Sequence, residues 1–336
     1  MIKNSITDKI IEMAKKTNKK IVLAEAEDLR VLNAASILTK ENICRVVLVG
    51  SKKSILDLSA KNNIDIKKVE IIDPYNSNLY ENYVEKFYEL RKHKGITLED
   101  AKKYMLDNVY FATMMVKQGD ADGLVSGAIH STSDTLRPAL QIIKQKEGIN
   151  TVSSFFLMET KKRELGANGL YVFSDCGLIE EPTEDQFVDI IKSSVESFKM
   201  FSDFYPKVAL LSYSTHGSAN SEKIQKTKNV LNKIKSLNIE YDIDGELQLD
   251  AAIIKEVAEL KASKSNVAGS ANILIFPNLE SGNIAYKTAQ RFGDMVALGP
   301  ITQGIKKPVN DLSRGCSISD IIGVVAITCI QASNSN

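Results

Sequence analysis

Gly123-Leu124-Val125-Ser126-Gly127-Ala128-Ile129-His130-Ser131-Thr132-Ser133-Asp134-Thr135-Leu136-Arg137-Pro138 carries a strand, a turn and a helix start in one stretch. Gly123–Val125 is short and apolar on both faces, as a buried parallel strand is. Small and hydroxyl residues follow, and then a helical pattern bearing Arg137. At such a junction the helix offers free N–H groups and the positive end of its dipole. In open α/β sheets, ligands collect beyond the carboxyl ends of the strands.

The same alternation runs outward in both directions. Strands are expected at Ile21–Ala24, Val46–Val49, Val69–Ile72, Ser153–Leu157, Leu170–Phe173, Val208–Leu211, Ile273–Phe276 and Met295–Leu298, with helices between them. Thr97 with Asp100 opens a helix expected to run until Gly119, and Thr183 with Gln186 opens another. Both are capping boxes, in which the hydroxyl satisfies a free N–H and the third residue reaches back. This order predicts an α/β fold with mainly parallel sheets flanked by helices. A domain break is expected near Gly148-Ile149-Asn150, where a turn separates a long helix from a new strand series. Ala332 to Asn336 reads as a short polar tail.

Composition narrows the function. The chain has 336 residues, long enough for two compact units. Lys plus Arg is 43 and Asp plus Glu is 42, a net charge of +1. So balanced a chain has no global field to draw it onto nucleic acid or anionic lipid, and any anion site must be local. The longest apolar run, Ile321 to Ile330, falls well short of the roughly 20 residues a membrane helix needs; it reads as a buried helix. The opening Met1-Ile2-Lys3-Asn4-Ser5-Ile6 leads into charged residues and lacks a signal peptide's apolar core. The four cysteines, Cys44, Cys176, Cys316 and Cys329, form no Cys-x-x-Cys pair. Both features predict a reducing, cytoplasmic setting.

Two further junctions match the first: Leu211-Ser212-Tyr213-Ser214-Thr215-His216-Gly217-Ser218-Ala219, and Pro308-Val309-Asn310-Asp311-Leu312-Ser313-Arg314-Gly315-Cys316-Ser317-Ile318-Ser319-Asp320. Each alone reads first as helix capping; three in one chain, two of them with an arginine, point to phosphate. No P-loop, dinucleotide fingerprint or nucleophile elbow is present. His93, His130 and His216 lack zinc-ligand spacing. Asp244, Glu246 and Asp250 could hold a divalent cation, but a loop and helix-start network is the preferred reading. His216 beside Ser214 and Ser218 invites a Ser–His reading, against which a capped helix start is preferred. Cys316 reads as a packing residue, although Arg314 nearby could lower its pKa and allow an acyl-cysteine route.

Ser126 to Leu140, Ser212 to Ala219, Asp244 to Ala252, Phe276 to Asn283, Gly299 to Asp320 and the opening Ile21 to Arg30 together resemble phosphate acetyltransferases, of the phosphate acetyl/butyryltransferase family. The likeness covers nearly the whole chain in order, and Ser313 to Asp320 is its most specific part. The resemblance implies two α/β domains around an active-site cleft, residues 1–147 with 300–336 and residues 148–299, and a homodimer. It implies reversible conversion of acetyl-CoA and phosphate to acetyl phosphate and CoA in a ternary complex, with no cofactor beyond coenzyme A as substrate and no required metal. Asp320 matches the family's base for the CoA thiol. Arg314 matches the arginine that holds phosphate or the developing charge, and Ser313 is a donor beside it. Arg91 and Arg137 fit the CoA-binding arginines, and Ser131 and Thr132 are further phosphate donors.

The residues themselves leave alternatives. Ser317 with Asp320 forms a capping box, so Asp320 alone reads as a helix cap in a turn that favours negative charge. Proton transfer from a free thiol near about 8.5 to a free carboxylate near about 3.9 is uphill by roughly 6 kcal/mol; burial, Arg314 or the helix N-terminus would have to offset it. Arg91, in Leu90-Arg91-Lys92-His93-Lys94-Gly95, reads equally as a solvated helix end. Rival functions are phosphate butyryl transfer, against which Ile21–Arg30 argues, a metal-dependent decarboxylating dehydrogenase of related architecture, and a silent acetyl-CoA-binding module, against which Ser313, Arg314 and Asp320 argue.

Overall fold

The computed structural model describes residues 5–335. Residues 1–4, part of the opening stretch read for a signal, and residue 336 lie outside them. Among the described residues eleven strands are formed, in chain order: β1 Lys20–Leu23, β2 Arg45–Val49, β3 Glu70–Ile72, β4 Gly123–Ser126, β5 Ser153–Glu159, β6 Leu170–Ser174, β7 Lys207–Leu211, β8 Asp242–Leu247, β9 Ile273–Ile275, β10 Val296–Gln303 and β11 Val309–Asp311. The chain divides into two compact units, Met1–Gln145 with Ile305–Asn336, and Lys146–Gly304.

In the first unit the strand order is β11-β4-β1-β2-β3, parallel at every pairing. Val22, Val47, Leu124 and Val309 face one way and pack with Phe87, Phe111, Met115 and Ile142. The alternate residues Ile21, Leu23, Leu48 and Val125 are also buried, as the period-2 geometry of a sheet covered on both faces requires. The helix Leu29–Lys40 packs on β2, and Ile318–Asn334 packs on β4 and β1. The apolar run Ile321–Ile330 is thus a buried helix. Among the described residues no helix is long and apolar enough to cross a membrane.

In the second unit the order is β10-β5-β6-β9-β7-β8. The pairs β10–β5 and β5–β6 are antiparallel and the rest parallel. Phe156, Phe173, Phe276 and Tyr286 fill one side of the sheet. The Gln303 side chain closes β10 from within: its Nε2 lies 3.0, 3.1 and 3.0 Å from the hydroxyls of Ser153, Ser174 and Ser194, and its Oε1 accepts from Ser197 at 2.9 Å. Because β10 continues through Gly299-Pro300 to Gln303, the chain leaves this unit after Gly304 rather than at residue 299.

Four sequence expectations need correction. The helix from Thr97 is two helices, Leu98–Tyr104 and Asn108–Gln118, because Asp107 caps a second start by accepting from the N–H groups of Val109 and Tyr110. The tail from Ala332 remains helical to Asn334. The acidic stretch 242–247 is the edge strand β8, its charges alternating with Ile243, Gly245 and Leu247. Residues 309–311 form β11, at the edge of the first sheet.

Candidate functional site

Strand order in the first sheet reverses between β1 and β4: one series runs outward through β2 and β3, the other through β11. Such a switch point leaves a crevice at the carboxyl ends of the strands. Three segments meet there: Ala24 to Arg30 after β1, Gly127 to Thr132 after β4, and Leu312 to Asp320 after β11. All three belong to the first unit.

The loop after β4 does offer a row of N–H groups, but the protein fills it. The Glu25 carboxylate, 1% exposed, accepts from Ala128 N at 2.7 Å, Ile129 N at 3.0 Å and His130 N at 2.9 Å, and lies 2.8 Å from His130 Nδ1. The two hydroxyls expected to donate to phosphate also have protein partners. Ser131 caps the helix Thr132–Ile142, accepting from Asp134 N and donating to its carboxylate at 2.6 Å. Thr132 donates to Asp311 Oδ2 at 2.6 Å. Gly127, at φ +109°, is required here: a Cβ would run into Asp311 and the Leu312 backbone.

Asp311 ends β11 inside the unit. Its Oδ1, together with the hydroxyls of Ser126 and Thr135, is buried without a well-formed hydrogen bond. Burial pushes its carboxyl up to about 6, against the Thr132 bond that favours the ion. Beyond it the turn comes to the surface. Ser313 and Arg314 are exposed, and Ser313 Oγ accepts from Gly315 N at 3.3 Å. Ser317 and Asp320 form the expected capping box: Asp320 Oδ2 accepts from Ser317 N at 2.8 Å and from its hydroxyl at 2.9 Å, while Ser317 Oγ accepts from Asp320 N at 3.2 Å. Asp320 is half-buried in the first turn of the helix, with one carboxylate oxygen carrying the cap. The turn therefore sets an exposed guanidinium, a hydroxyl, a helix N-terminus and a carboxylate side by side.

The cysteine in this turn is not poised as a nucleophile. Burial pushes the Cys316 thiol up to about 11, the Asp320 carboxylate acts in the same direction, and the opposing pull comes from Arg30 rather than Arg314.

Comparison with known proteins agrees with this architecture. The family model described as phosphate acetyl/butaryl transferase matches residues 5–329. This chain belongs to the phosphate acetyl/butaryl transferase family. It is 52% identical over 328 residues to a phosphate acetyltransferase of Thermoanaerobacterium thermosaccharolyticum, covering 98% of this chain and 99% of that one. A phosphotransacetylase from Streptococcus pyogenes superposes with a TM-score of 0.92 at 44% identity, covering all of both chains. A EutD phosphotransacetylase from Staphylococcus aureus gives 0.87 at 43% identity, covering 97% of this chain and 98% of that one.

Within this family member, the charges of Arg91 and Arg137 both bear on one neighbour, Tyr110. Arg91 ends the helix Tyr80–Arg91, with its Nε buried and unpaired; Arg137 is exposed on Thr132–Ile142. Both act on Tyr110, whose phenol is pushed up to about 12 by burial and by Tyr104 and drawn back by the two arginines. Tyr110 donates to Gln141 at 3.1 Å, on the same helix as Arg137.

The second unit repeats the carboxylate-in-loop device. Glu246 Oε1 accepts from the Ser214 hydroxyl at 3.0 Å and Gly217 N at 2.7 Å, tying down the loop 212–219. His216 Nε2 lies 3.1 Å from Asp244, and Asp250 pairs with Lys261 at 2.8 Å. The three acids thus have separate partners, and the helix that follows His216 is capped instead by Ser221. Asp175 takes the N–H groups of Gly177, Leu178 and Ile179 at 2.7, 3.1 and 3.2 Å. Sequence reading missed Glu25 and Asp175, and took Glu246 only as one of three clustered acids without its partners Ser214 and Gly217. The available signal was an acid in the last residues of a strand or just after it, with a Gly-containing loop to be filled.

Proposed function

We propose that this chain transfers an acetyl group reversibly between coenzyme A and inorganic phosphate: acetyl-CoA and phosphate give acetyl phosphate and CoA. The observation that carries the reading is the turn Ser313 to Asp320, where an exposed guanidinium lies ahead of a helix N-terminus in a family of phosphate acyltransferases. In the direction of acetyl-CoA synthesis, Asp320 takes the proton from the CoA thiol. The sulfur attacks the acetyl carbonyl carbon, and the bond from that carbon to the phosphate oxygen breaks. Arg314 holds the phosphate and the charge growing on the oxyanion, with a two-pronged fork suited to paired oxygens, and Ser313 donates beside it. The proton transfer is unfavourable in water; Arg314 and the helix N-terminus stabilise the thiolate and offset that cost. The high-lying Cys316 thiol supports direct transfer without an acyl-cysteine.

Arg91 and Arg137, whose charges both bear on Tyr110, bind the phosphates of CoA. Ser131 and Thr132 have committed their single hydroxyl hydrogens to Asp134 and Asp311, so each donates to a phosphate only by giving up that bond. The reaction needs no resident metal or cofactor. A homodimer is proposed on the family likeness. Four free, buried thiols support a cytoplasmic setting.

The test is thioester formation from CoA and acetyl phosphate, followed by absorbance, with butyryl phosphate and a metal chelator in parallel. Rapid acetyl transfer that survives the chelator is the expected result. Transfer from butyryl phosphate alone would shift the substrate, and no transfer from either would remove the assignment.

A further inference from the structure

Among the described residues at the switch point, Arg30 is a guanidinium whose donors are all engaged by the protein. A guanidinium has five N–H donors in a fixed plane. Here Nε donates to Asp28 Oδ1 at 3.0 Å, and one Nη2 hydrogen to Asp28 Oδ2 at 2.7 Å. The other reaches Ala128 O at 2.8 Å. Nη1 donates to two carbonyls of the turn after β11, Arg314 O at 2.8 Å and Cys316 O at 3.0 Å. Asp28 both orients the fork and caps the helix on which Arg30 sits, accepting from Arg30 N at 2.7 Å. One side chain therefore brackets three segments that are remote in sequence, and its charge is balanced by Asp28. With every donor occupied, it has none left for a substrate.

We propose that Arg30 is a positioning residue for Arg314. By gripping the main chain on either side of Gly315, it fixes where the exposed Arg314 guanidinium starts from, and it references that turn to the loop after β4. The proposal rests on the reading that Arg314 binds the transferred phosphate. The Arg314 side chain is long and exposed, so the precision of its reach comes from its backbone anchor, and small misplacements of a catalytic group can cost about 100-fold in rate. Lysine cannot replace the fork: it has three donors on one point and cannot span Asp28, Ala128 and two carbonyls of the turn. Arg30 is 31% exposed and its partner Asp28 12%, so the pair is half-buried, and the thermal melts separate any cost to stability from the effect on rate.

The experiment compares wild type, Arg30→Lys, Arg30→Gln, Arg314→Ala and the double variant Arg30→Gln/Arg314→Ala in the acetyl phosphate and CoA assay, with thermal melts of each. Both Arg30 variants should lose about 10- to 100-fold in kcat while the KM for CoA stays within about 2-fold, because Arg91 and Arg137 stand on other elements. The double variant should be no more than about 2-fold slower than Arg314→Ala alone, since a residue acting through Arg314 has nothing left to position. Multiplying losses in the double variant would overturn the proposal. So would wild-type kcat in Arg30→Gln, or a change confined to KM for CoA. Early melting of both Arg30 variants with an unchanged rate per folded molecule would make Arg30 a structural strut and also overturn it. An inactive wild type would sink the reaction assignment, and Arg30's role with it; an active wild type with active Arg30 variants sinks the positioning role alone.

Discussion

At the scale of single residues, the candidate site separates groups that present chemistry from groups that hold it. Arg314, Ser313 and Asp320 lie on an accessible turn, whereas Asp311 is buried two residues before it. Arg314→Ala and Asp320→Ala should each lower kcat by about 100-fold or more; melting should change little for Arg314→Ala, which is exposed, and stability should fall by the roughly 1 kcal/mol of a lost cap for Asp320→Ala. Near-normal rates in both would end the assignment. Asp311 should show itself through pH. Its carboxyl is raised to about 6 by burial, so between the normal carboxylate range and about pH 6 the folded state holds a proton that the unfolded chain has released. Stability from this group is therefore greatest in acid and falls as pH rises to about 6. Asp311→Asn, which keeps an acceptor for Thr132, should remove that slope and stabilise the protein above pH 6 by up to roughly 3 kcal/mol. Melts at pH 4.5 and 7.5 that move in parallel for both proteins would show that Asp311 titrates normally.

At the scale of elements, the loops are shaped by what lies behind them. Gly127 sits at a positive φ with no room for a Cβ against Asp311 and Leu312, so Gly127→Ala should cost about 2 kcal/mol or more and disturb the Arg314 turn as well. Retention of both stability and activity would show that the turn after β11 can shift freely. In the second unit, Gln303 ties β10 to β5, β6 and the helix Glu184–Phe201 through four serines. Gln303→Leu removes the partner of the Ser153, Ser194 and Ser197 hydroxyls in the core, while Ser174 keeps its bond to Ser154 O, and should cost about 2–4 kcal/mol in chemical denaturation. A neutral substitution would mean that the serines find other partners. The elements also mark where sequence reading worked. Capping boxes at Thr97, Thr183 and Ser317 were legible because their partners lie three residues apart. Strands β8 and β11 were not. Asp242, Asp244 and Glu246 look like a loop until β7 is known to lie on one side only, and Val309–Asp311 is too short to show any period.

At the scale of the whole molecule, a net charge of +1 means that substrate anions are attracted by local arrangement rather than by a general field. Arg91→Ala and Arg137→Ala should therefore raise the KM for CoA about 10-fold or more while leaving that for acetyl phosphate nearly unchanged. An unchanged CoA dependence would remove both from the binding site. What the sequence determined by itself was the local grammar: the alternation of strands and helices, the helix starts, and the Ser313–Asp320 turn whose family likeness names the chemistry. What only the tertiary structure decided was which groups satisfy one another. The loop after β4 reads as an open phosphate cradle, yet Glu25, 103 residues before Ala128, fills it. Arg30 grips the carbonyl of Arg314 across 284 residues. Such pairings depend on strand order and parallel register, which bring the ends of β1, β4 and β11 together. A local pattern carries no trace of them, because hydrogen bonds are short-ranged in space and indifferent to separation along the chain.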